Sequence, residues 1–194
     1  MAASSVEHYL LPEAGRSPNN ATLPLLVYRA AVRIDDHDPE GAVEKAFWAN
    51  NWGDGFRGDT FPFHHYHSVA HEVVGCARGK ARLQFGGPTG LVIDVQAGDA
   101  VLIPAGVVHC RLDDTPGYTS IGAYPPGQKP DLCVLSESDA RAVRERNDTE
   151  GLELKVIGDN ELPATKASIA GTALPATDPI GGKDGAVQAL WLNH

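Results

Sequence analysis

Two short segments of this chain place four potential metal ligands at a spacing that limits how the chain can fold. The first segment, HYHSVAHE, contains His65, His67 and Glu72, and the second ends in His109 just after a Pro-x-Gly turn. Residues two apart on a β-strand point to the same face, so the imidazoles of the first segment share one side. The pattern therefore predicts that three imidazoles and one carboxylate converge on one metal ion from different strands.

Composition limits both the size of the core and the choice of partners. With 194 residues, of which 42% are hydrophobic, the chain suits one well-buried core and is short for two, so we expect a single domain over residues 1–194. Acidic residues outnumber basic ones by 25 to 16, which gives a net charge of -9. Such a surface repels phosphate backbones and anionic membranes, and we expect neither nucleic acid nor membrane as a partner.

Cysteine usage and the N-terminal sequence predict a cytoplasmic protein. The three cysteines, Cys76, Cys110 and Cys133, are an odd number without paired spacing. The first ten residues, MAASSVEHYL, lack the charged start and apolar stretch of a secretory signal. We therefore expect free thiols in a reducing compartment.

The middle of the chain alternates short strand-like runs with turn residues. The candidate strands are residues 61–67, 71–77, 80–86, 91–96, 99–103, 107–112 and 118–124. Many short strands at even spacing are typical of a sandwich or a barrel. We predict a barrel core over about residues 61–124.

The N-terminal extension, residues 1–60, is predicted to contain one strand and one helix. Residues 23–32 form an apolar stretch suited to a strand. Asp38 and Pro39 are typical of a helix start, and we expect this helix to end near residue 51. The glycine-rich residues 52–60, next along the chain, are predicted to form a loop.

The C-terminal part, residues 136–194, is predicted to contain a helix and an arm. Residues 136–146, SESDARAVRER, combine a serine cap with an acidic first turn, as helices do. The last forty or so residues are rich in proline and glycine, and we expect an extended arm that lies over the domain.

The two ligand segments match the two sequence motifs of the cupin superfamily. The first motif reads His-x-His, three or four residues, Glu, six residues, Gly, and the second reads Gly, five residues, Pro-x-Gly, two residues, His. The matching positions here are His65, His67, Glu72 and Gly79, then Gly98, Pro104, Gly106 and His109. The chain resembles small single-domain cupins of bacteria and fungi that have N-terminal and C-terminal extensions and mostly unassigned functions. The resemblance implies an all-β fold, the double-stranded β-helix or jelly-roll barrel, with short flanking helices and the extended arm.

One ligand assignment stays open between two neighbouring residues. The motif tolerates either spacing after the histidine pair, so His71 competes with Glu72. Neighbouring strand residues face opposite ways, and both cannot easily bind the same ion. We choose Glu72 because its distance to Gly79 fits the motif and because three imidazoles with one carboxylate suit several first-row divalent ions.

This donor set favours one divalent transition-metal ion as cofactor. Neutral imidazoles and a carboxylate are borderline-hard donors, which favour Fe, Mn, Co, Ni, Cu or Zn over calcium or Cu(I), and iron is our first choice. Four protein ligands on an octahedral ion leave two positions for a substrate or dioxygen, as a catalytic site requires.

Three further residues are predicted to contact a small-molecule substrate. Phe61 and Phe63 share the strand parity of the histidine pair and are expected to form an apolar wall, with simple core packing as the alternative. Arg111 shares the parity of His109, so its guanidinium could hold a substrate carboxylate. The alternative for Arg111 is a solvated strand end, and no catalytic residue is assigned.

Three classes of function are consistent with this interpretation. The expected one is a dioxygenase-like oxidoreductase that acts on a small organic molecule able to chelate the metal. The alternatives are a metal-assisted isomerase, epimerase or lyase, and a protein that binds a metal or small ligand without catalysis. We also expect a homodimer, because cupin barrels commonly pair their edge strands.

Overall fold

The computed structural model describes residues 6–146, 149 and 151–192, and its strands form two six-stranded sheets. The elements in chain order are β1 (Val6–Leu11), β2 (Asn20–Tyr28), α1 (Pro39–Trp48), β3 (Gly53–Gly58), β4 (His65–Tyr66), β5 (Glu72–Arg78), β6 (Lys80–Phe85), β7 (Leu91–Gln96), β8 (Ala100–Ile103), β9 (His109–Asp114), β10 (Thr119–Tyr124), β11 (Asp131–Val134), α2 (Glu137–Arg144), β12 (Glu153–Val156), α3 (Leu162–Ala170) and α4 (Ala186–Leu190). The strand orders are β1-β2-β8-β5-β10-β3 and β12-β11-β4-β9-β6-β7. This architecture is the predicted all-β jelly roll.

The main core lies between the two sheets. Leu25 and Val27 of β2 pack there against Leu83 and Phe85 of β6. Because side chains alternate along a strand, the intervening Leu26 points to the opposite face of the first sheet. That outer face is covered by α1 and α4, so the first sheet is buried on both sides.

The strands predicted over the middle of the chain are confirmed, with one shortened. Candidates from residue 71 to residue 124 correspond in order to β5 through β10. Of residues 61–67, only His65 and Tyr66 form a strand. The sheets also extend beyond residues 61–124, since they include β1, β2 and β3 before this range and β11 and β12 after it.

The prediction of a glycine-rich loop over residues 52–60 is wrong, because β3 lies within it. This strand pairs with β10 at the edge of the first sheet. A Cβ atom on Gly55 would lie 1.8 Å from the carbonyl oxygen of Gly122, so the two backbones approach too closely for a side chain. Glycine here permits close strand contact rather than a turn.

The two predicted helices near the ends of the barrel are confirmed. In α1 the side chain of Asp38 accepts a hydrogen bond from the amide of Gly41, and Pro39 occupies the first turn. Ser136 caps α2 through the amide of Asp139. The longest of the described helices, α1, has 10 residues, and no helix in the described ranges is long and apolar enough to span a membrane.

The C-terminal arm is not extended throughout, and it covers both sheets: Ile169 packs with residues of β4 and β11, and Val187 packs against the first sheet. It contains α3 and α4, and α3 begins with a proline in its first turn, where a missing amide proton has no cost. Asp178 holds the arm in place. Its fully buried carboxylate accepts hydrogen bonds from the Tyr28 hydroxyl at 2.6 Å and from the amides of Ile180 and Val187 at 2.8 and 3.0 Å.

Candidate functional site

The structure brings the four predicted ligand residues together inside the barrel. Glu72 Oε2 lies 3.4 Å from His67 Nε2 and 3.3 Å from His109 Nε2. The ring of His65 packs against that of His109, with 4.2 Å between their centroids. None of these four side chains is more than 5% exposed. We call these four residues the histidine cluster.

Strand pairing and one turn position the members of the cluster. His65 on β4 and His109 on β9 are direct cross-strand partners, and Glu72 begins β5 in the opposite sheet. The Pro-x-Gly turn before His109 needs Gly106, which has a φ of +88° and leaves no room for a Cβ beside the carbonyl of Asn19. This turn connects β8 to β9 and therefore sets where His109 enters the barrel.

All three imidazoles of the cluster use Nδ1 to contact a main-chain carbonyl. His65 contacts the carbonyl of Phe63 at 3.0 Å, His109 contacts that of Val107 at 2.9 Å, and His67 contacts that of Asp131. A carbonyl oxygen only accepts hydrogen bonds, so each Nδ1 carries a proton and donates. In the neutral rings the lone pair is consequently on Nε2, the atom that faces Glu72 in His67 and His109.

The two carboxylate oxygens of Glu72 have different surroundings. Oε1 accepts a hydrogen bond from the Tyr124 hydroxyl at 3.3 Å. Oε2 is buried and has no hydrogen-bond donor among the residues the structure describes. A buried carboxylate oxygen that faces imidazole nitrogens is costly unless positive charge, a cation or a proton, lies beside it.

The pKa shifts in the cluster differ from residue to residue. Burial lowers the pKa of His65 well below its usual value, and the neighbouring imidazoles add to this effect. Burial would also lower the pKa of His67, but Glu72 and the Asp131 carbonyl outweigh it and raise the pKa. Burial would raise the pKa of Glu72, but His67 and His109 outweigh it and lower the pKa. The shifts favour an ionised Glu72 and a neutral His65, the forms that bind metal ions, but a protonated His67, which must lose that proton to bind one.

The donor set fits a metal ion, although the side chains do not form a complete coordination sphere. Ligands about 2.1 Å from an ion and at right angles to one another lie about 3 Å apart. The distances of 3.3 and 3.4 Å around Glu72 Oε2 are close to that spacing. Among the described residues, no three His, Cys, Asp or Glu side chains already surround a common ion position.

His71 lies outside the cluster and faces the C-terminal arm. Its Nδ1 accepts a hydrogen bond from the amide of Ala105 at 3.0 Å, and its ring lies 4.9 Å from that of Trp191. Burial lowers the pKa of His71 to about 4. Of the neighbouring residues Glu72 and His71, only Glu72 points toward the three histidines of the cluster.

A cavity of about 450 Å³ opens onto the cluster. Phe61 lines it, with its ring 5.0 Å from that of His65. Phe63 stacks on Phe61 at 5.1 Å but is buried among core residues that include Leu132 and Val143. The structure thus places Phe61 in the cavity wall. Phe63 lies behind it and packs in the core, which was the alternative prediction for this residue.

The guanidinium of Arg111 is bound by other groups at the end of β9 and does not line the cavity. It donates to the carbonyl of Thr60 at 3.0 Å and to Asp59 at 2.6 Å, and it also pairs with Asp114. Its side chain is only 15% exposed, so this placement matches neither the substrate contact nor the solvated strand end. Its contacts hold the segment that leads to Phe61.

Tyr124 is the site residue that the sequence analysis missed. It lines the cavity, its hydroxyl reaches Glu72, and its ring lies edge-on to His67 at 5.6 Å. Tyr124 ends β10, which pairs with β5, the strand that carries Glu72. Tyr124 reaches the cluster through this strand pairing, and the sequences of the two ligand segments do not predict that contact.

Comparisons with known proteins agree with the motif. The model of the Cupin domain family matches residues 57–112. The uncharacterized protein YjlB of Bacillus subtilis (strain 168) is 38% identical over 184 residues, which are 95% of each chain.

Solved structures also resemble the chain, at a level that carries no functional information. RmlC from Streptococcus suis has 12% identity and a TM-score of 0.38, with 78% of this chain and 87% of that chain covered. The dTDP-6-deoxy-D-glucose-3,5-epimerase RmlC from Legionella pneumophila has 12% identity and a TM-score of 0.36, with 81% and 97% covered.

The two interpretations of Arg111 predict different effects on stability. If Arg111 holds the segment around Asp59, Arg111→Gln lowers the free energy of unfolding by about 1–3 kcal/mol, because the carbonyl of buried Thr60 and the half-buried carboxylate of Asp59 lose their donor. Urea denaturation without any substrate measures this. The control is Arg82→Gln, which removes an exposed pair with Asp94 and should cost less than about 0.5 kcal/mol. Equal stability of wild type and Arg111→Gln would contradict the structural role.

Proposed function

The chain belongs to the cupin superfamily, and from this premise we propose that it is a metal-dependent, dioxygenase-like oxygenase of a small organic molecule. His65, His67, Glu72 and His109 would hold one divalent transition-metal ion, with iron as first choice among Fe, Mn, Ni, Cu and Zn. When bound, the ion would supply Lewis acidity and open coordination positions for a chelating substrate and for dioxygen.

One observation carries the metal proposal: Glu72 Oε2 is buried without a hydrogen-bond donor in the described part of the chain, and two Nε2 atoms face it. His67 and His109 each add an Nε2 lone pair there, and the ring of His65 packs against that of His109. A divalent cation would satisfy the carboxylate and the nitrogens together, whereas a proton on His67 satisfies only one contact.

The residues of the cavity would bind and enclose the substrate. A volume of about 450 Å³ is within the range of small-molecule sites. Phe61 presents an apolar face beside His65, which favours a substrate with an apolar body and excludes water from the reacting groups. The Nδ1 contacts with main-chain carbonyls keep the imidazoles from turning when substrate enters.

The alternative functions, those of an isomerase, epimerase or lyase, would also use side chains of this cavity. Those reactions need a side chain that moves a proton near the substrate. Asp59 lines the cavity, but Arg111 and Arg146 bind its carboxylate at 2.6 and 3.2 Å. Tyr124 and Lys129 also line the cavity, and each has a proton to donate, so oxygen uptake is the measurement that distinguishes the two reaction classes.

We also propose a homodimer in which edge strands associate. β1 and β3 end the first described sheet, and β12 and β7 end the second. Edge strands expose unpaired amide and carbonyl groups, and Leu10 on β1 is 57% exposed. Light scattering coupled to gel filtration should give twice the chain mass of 20.6 kDa, and a monomer mass at micromolar concentration would contradict the dimer.

A cytoplasmic location is part of the proposal. It is supported by Cys76, Cys110 and Cys133, which are all free and buried. Unpaired cysteines are typical of proteins in reducing compartments.

The metal proposal predicts about one ion per chain in protein purified without added metal. Elemental analysis of the purified protein measures this. Glu72→Ala should weaken metal binding at least about tenfold, because it removes a ligand. His71→Ala is the matched control from the neighbouring position and should keep its metal. Loss of metal in His71→Ala with retention in Glu72→Ala would reverse the ligand assignment.

The oxygenase proposal predicts oxygen consumption that depends on substrate. Protein loaded with Fe²⁺ without air and then screened with catechols, thiols and 1,3-diketones should take up oxygen in proportion to the substrate consumed. An oxygen electrode measures the uptake, and His109→Ala should abolish it. Full iron loading with substrate conversion but no oxygen uptake would favour the isomerase, epimerase or lyase. The absence of any conversion would favour a binding protein.

A further inference from the structure

Glu72 differs from the three histidines in how it is oriented. Each imidazole of the cluster is held at Nδ1 by a main-chain carbonyl, which no side-chain substitution removes directly. Glu72 is held by a side chain, the Tyr124 hydroxyl, which donates to Oε1 at 3.3 Å. The terminal torsion of a glutamate is soft, so its two oxygens exchange places easily unless a contact distinguishes them.

The position of Tyr124 allows it to make that distinction. The residue is buried at 5% exposure, and its ring packs edge-on against His67, so the hydroxyl has little freedom to move away. Its strand pairs with the strand of Glu72. Tyr124 also lines the cavity, beside the ligand whose orientation it controls.

We propose that Tyr124 is a positioning residue of the metal site, whose hydroxyl retains Glu72 Oε1 so that only Oε2 is directed at the ion. This inference rests on the proposed metal site. It has a consequence for the cavity: a carboxylate that binds through one oxygen uses one coordination position, which leaves more positions for a chelating substrate. Without the hydroxyl, the carboxylate turns and no longer keeps Oε2 directed at the ion.

The test compares Tyr124→Phe with a matched control, Tyr118→Phe. Tyr118 is also buried, lies just before the strand that ends at Tyr124, and has a hydroxyl 3.3 Å from Thr60 Oγ1. Each variant removes one oxygen and one hydrogen bond of the same length. Cu²⁺ is the probe, because it binds imidazole sites tightly among divalent ions and its electron paramagnetic resonance spectrum reports the ligand field.

We expect Tyr124→Phe to bind Cu²⁺ about tenfold more weakly than wild type, as measured by competition with a chelator, and to give a changed spectrum. Tyr118→Phe should match wild type in both measurements. Thermal unfolding of the metal-free variants checks that both are folded. Wild-type affinity and spectrum in a folded Tyr124→Phe would overturn the positioning role.

A double-mutant comparison shows whether the effect passes through Glu72. In a Glu72→Ala background, Tyr124→Phe should cause no further loss of Cu²⁺ affinity, because the carboxylate it acts on is absent. The same tenfold loss in that background would overturn the inference, since Tyr124 would then act by packing. If wild type binds Cu²⁺ no better than His109→Ala, the metal site itself is wrong, a result distinct from failure of the Tyr124 inference.

Discussion

The burial of the Glu72 carboxylate among imidazoles is the interaction on which the site depends. Removing an ionised carboxylate from water costs several kcal/mol unless opposite charge compensates it. Here one oxygen has a hydroxyl partner and the other has only the Nε2 atoms of His67 and His109 nearby. The imidazoles cannot turn their protonated nitrogens toward the carboxylate without losing their main-chain carbonyl contacts. The arrangement therefore favours positive charge beside Glu72, either a proton on His67 or the metal ion that we propose.

The surroundings of the histidine cluster are formed by contacts between residues elsewhere in the chain. Packing between the sheets and the cover provided by the helices exclude water from the barrel, which strengthens every electrostatic interaction inside it. The arm anchored by Asp178 and Tyr28 closes the outer face of the first sheet and packs Trp191 against His71. The edge strand β3 and the segment held by Arg111 form the wall of the cavity. Arg111 thus contributes both to stability and to the shape of the cavity.

Features that depend on strand periodicity could be predicted from the sequence, whereas contacts between residues far apart in the chain could not. The two-residue period placed Glu72 and His71 on opposite sides, as the structure has them. Parity with His109 predicted that Arg111 could reach the cavity, but its guanidinium does not line it, because an aspartate 52 positions earlier binds it. Tyr124 reaches the cluster only through the register of two strands. Gly55 was misinterpreted because glycine permits both loops and close backbone contact, and local sequence does not distinguish the two.

X-ray absorption at the cobalt edge tests the central claim most directly, because it counts the imidazoles bound to an ion. Protein loaded with one equivalent of Co²⁺ should show scattering from three imidazole rings together with oxygen ligands, and His65→Ala should show two rings. A spectrum with one imidazole or none, or one that His65→Ala leaves unchanged, would mean that the buried carboxylate and its histidines do not form a metal centre.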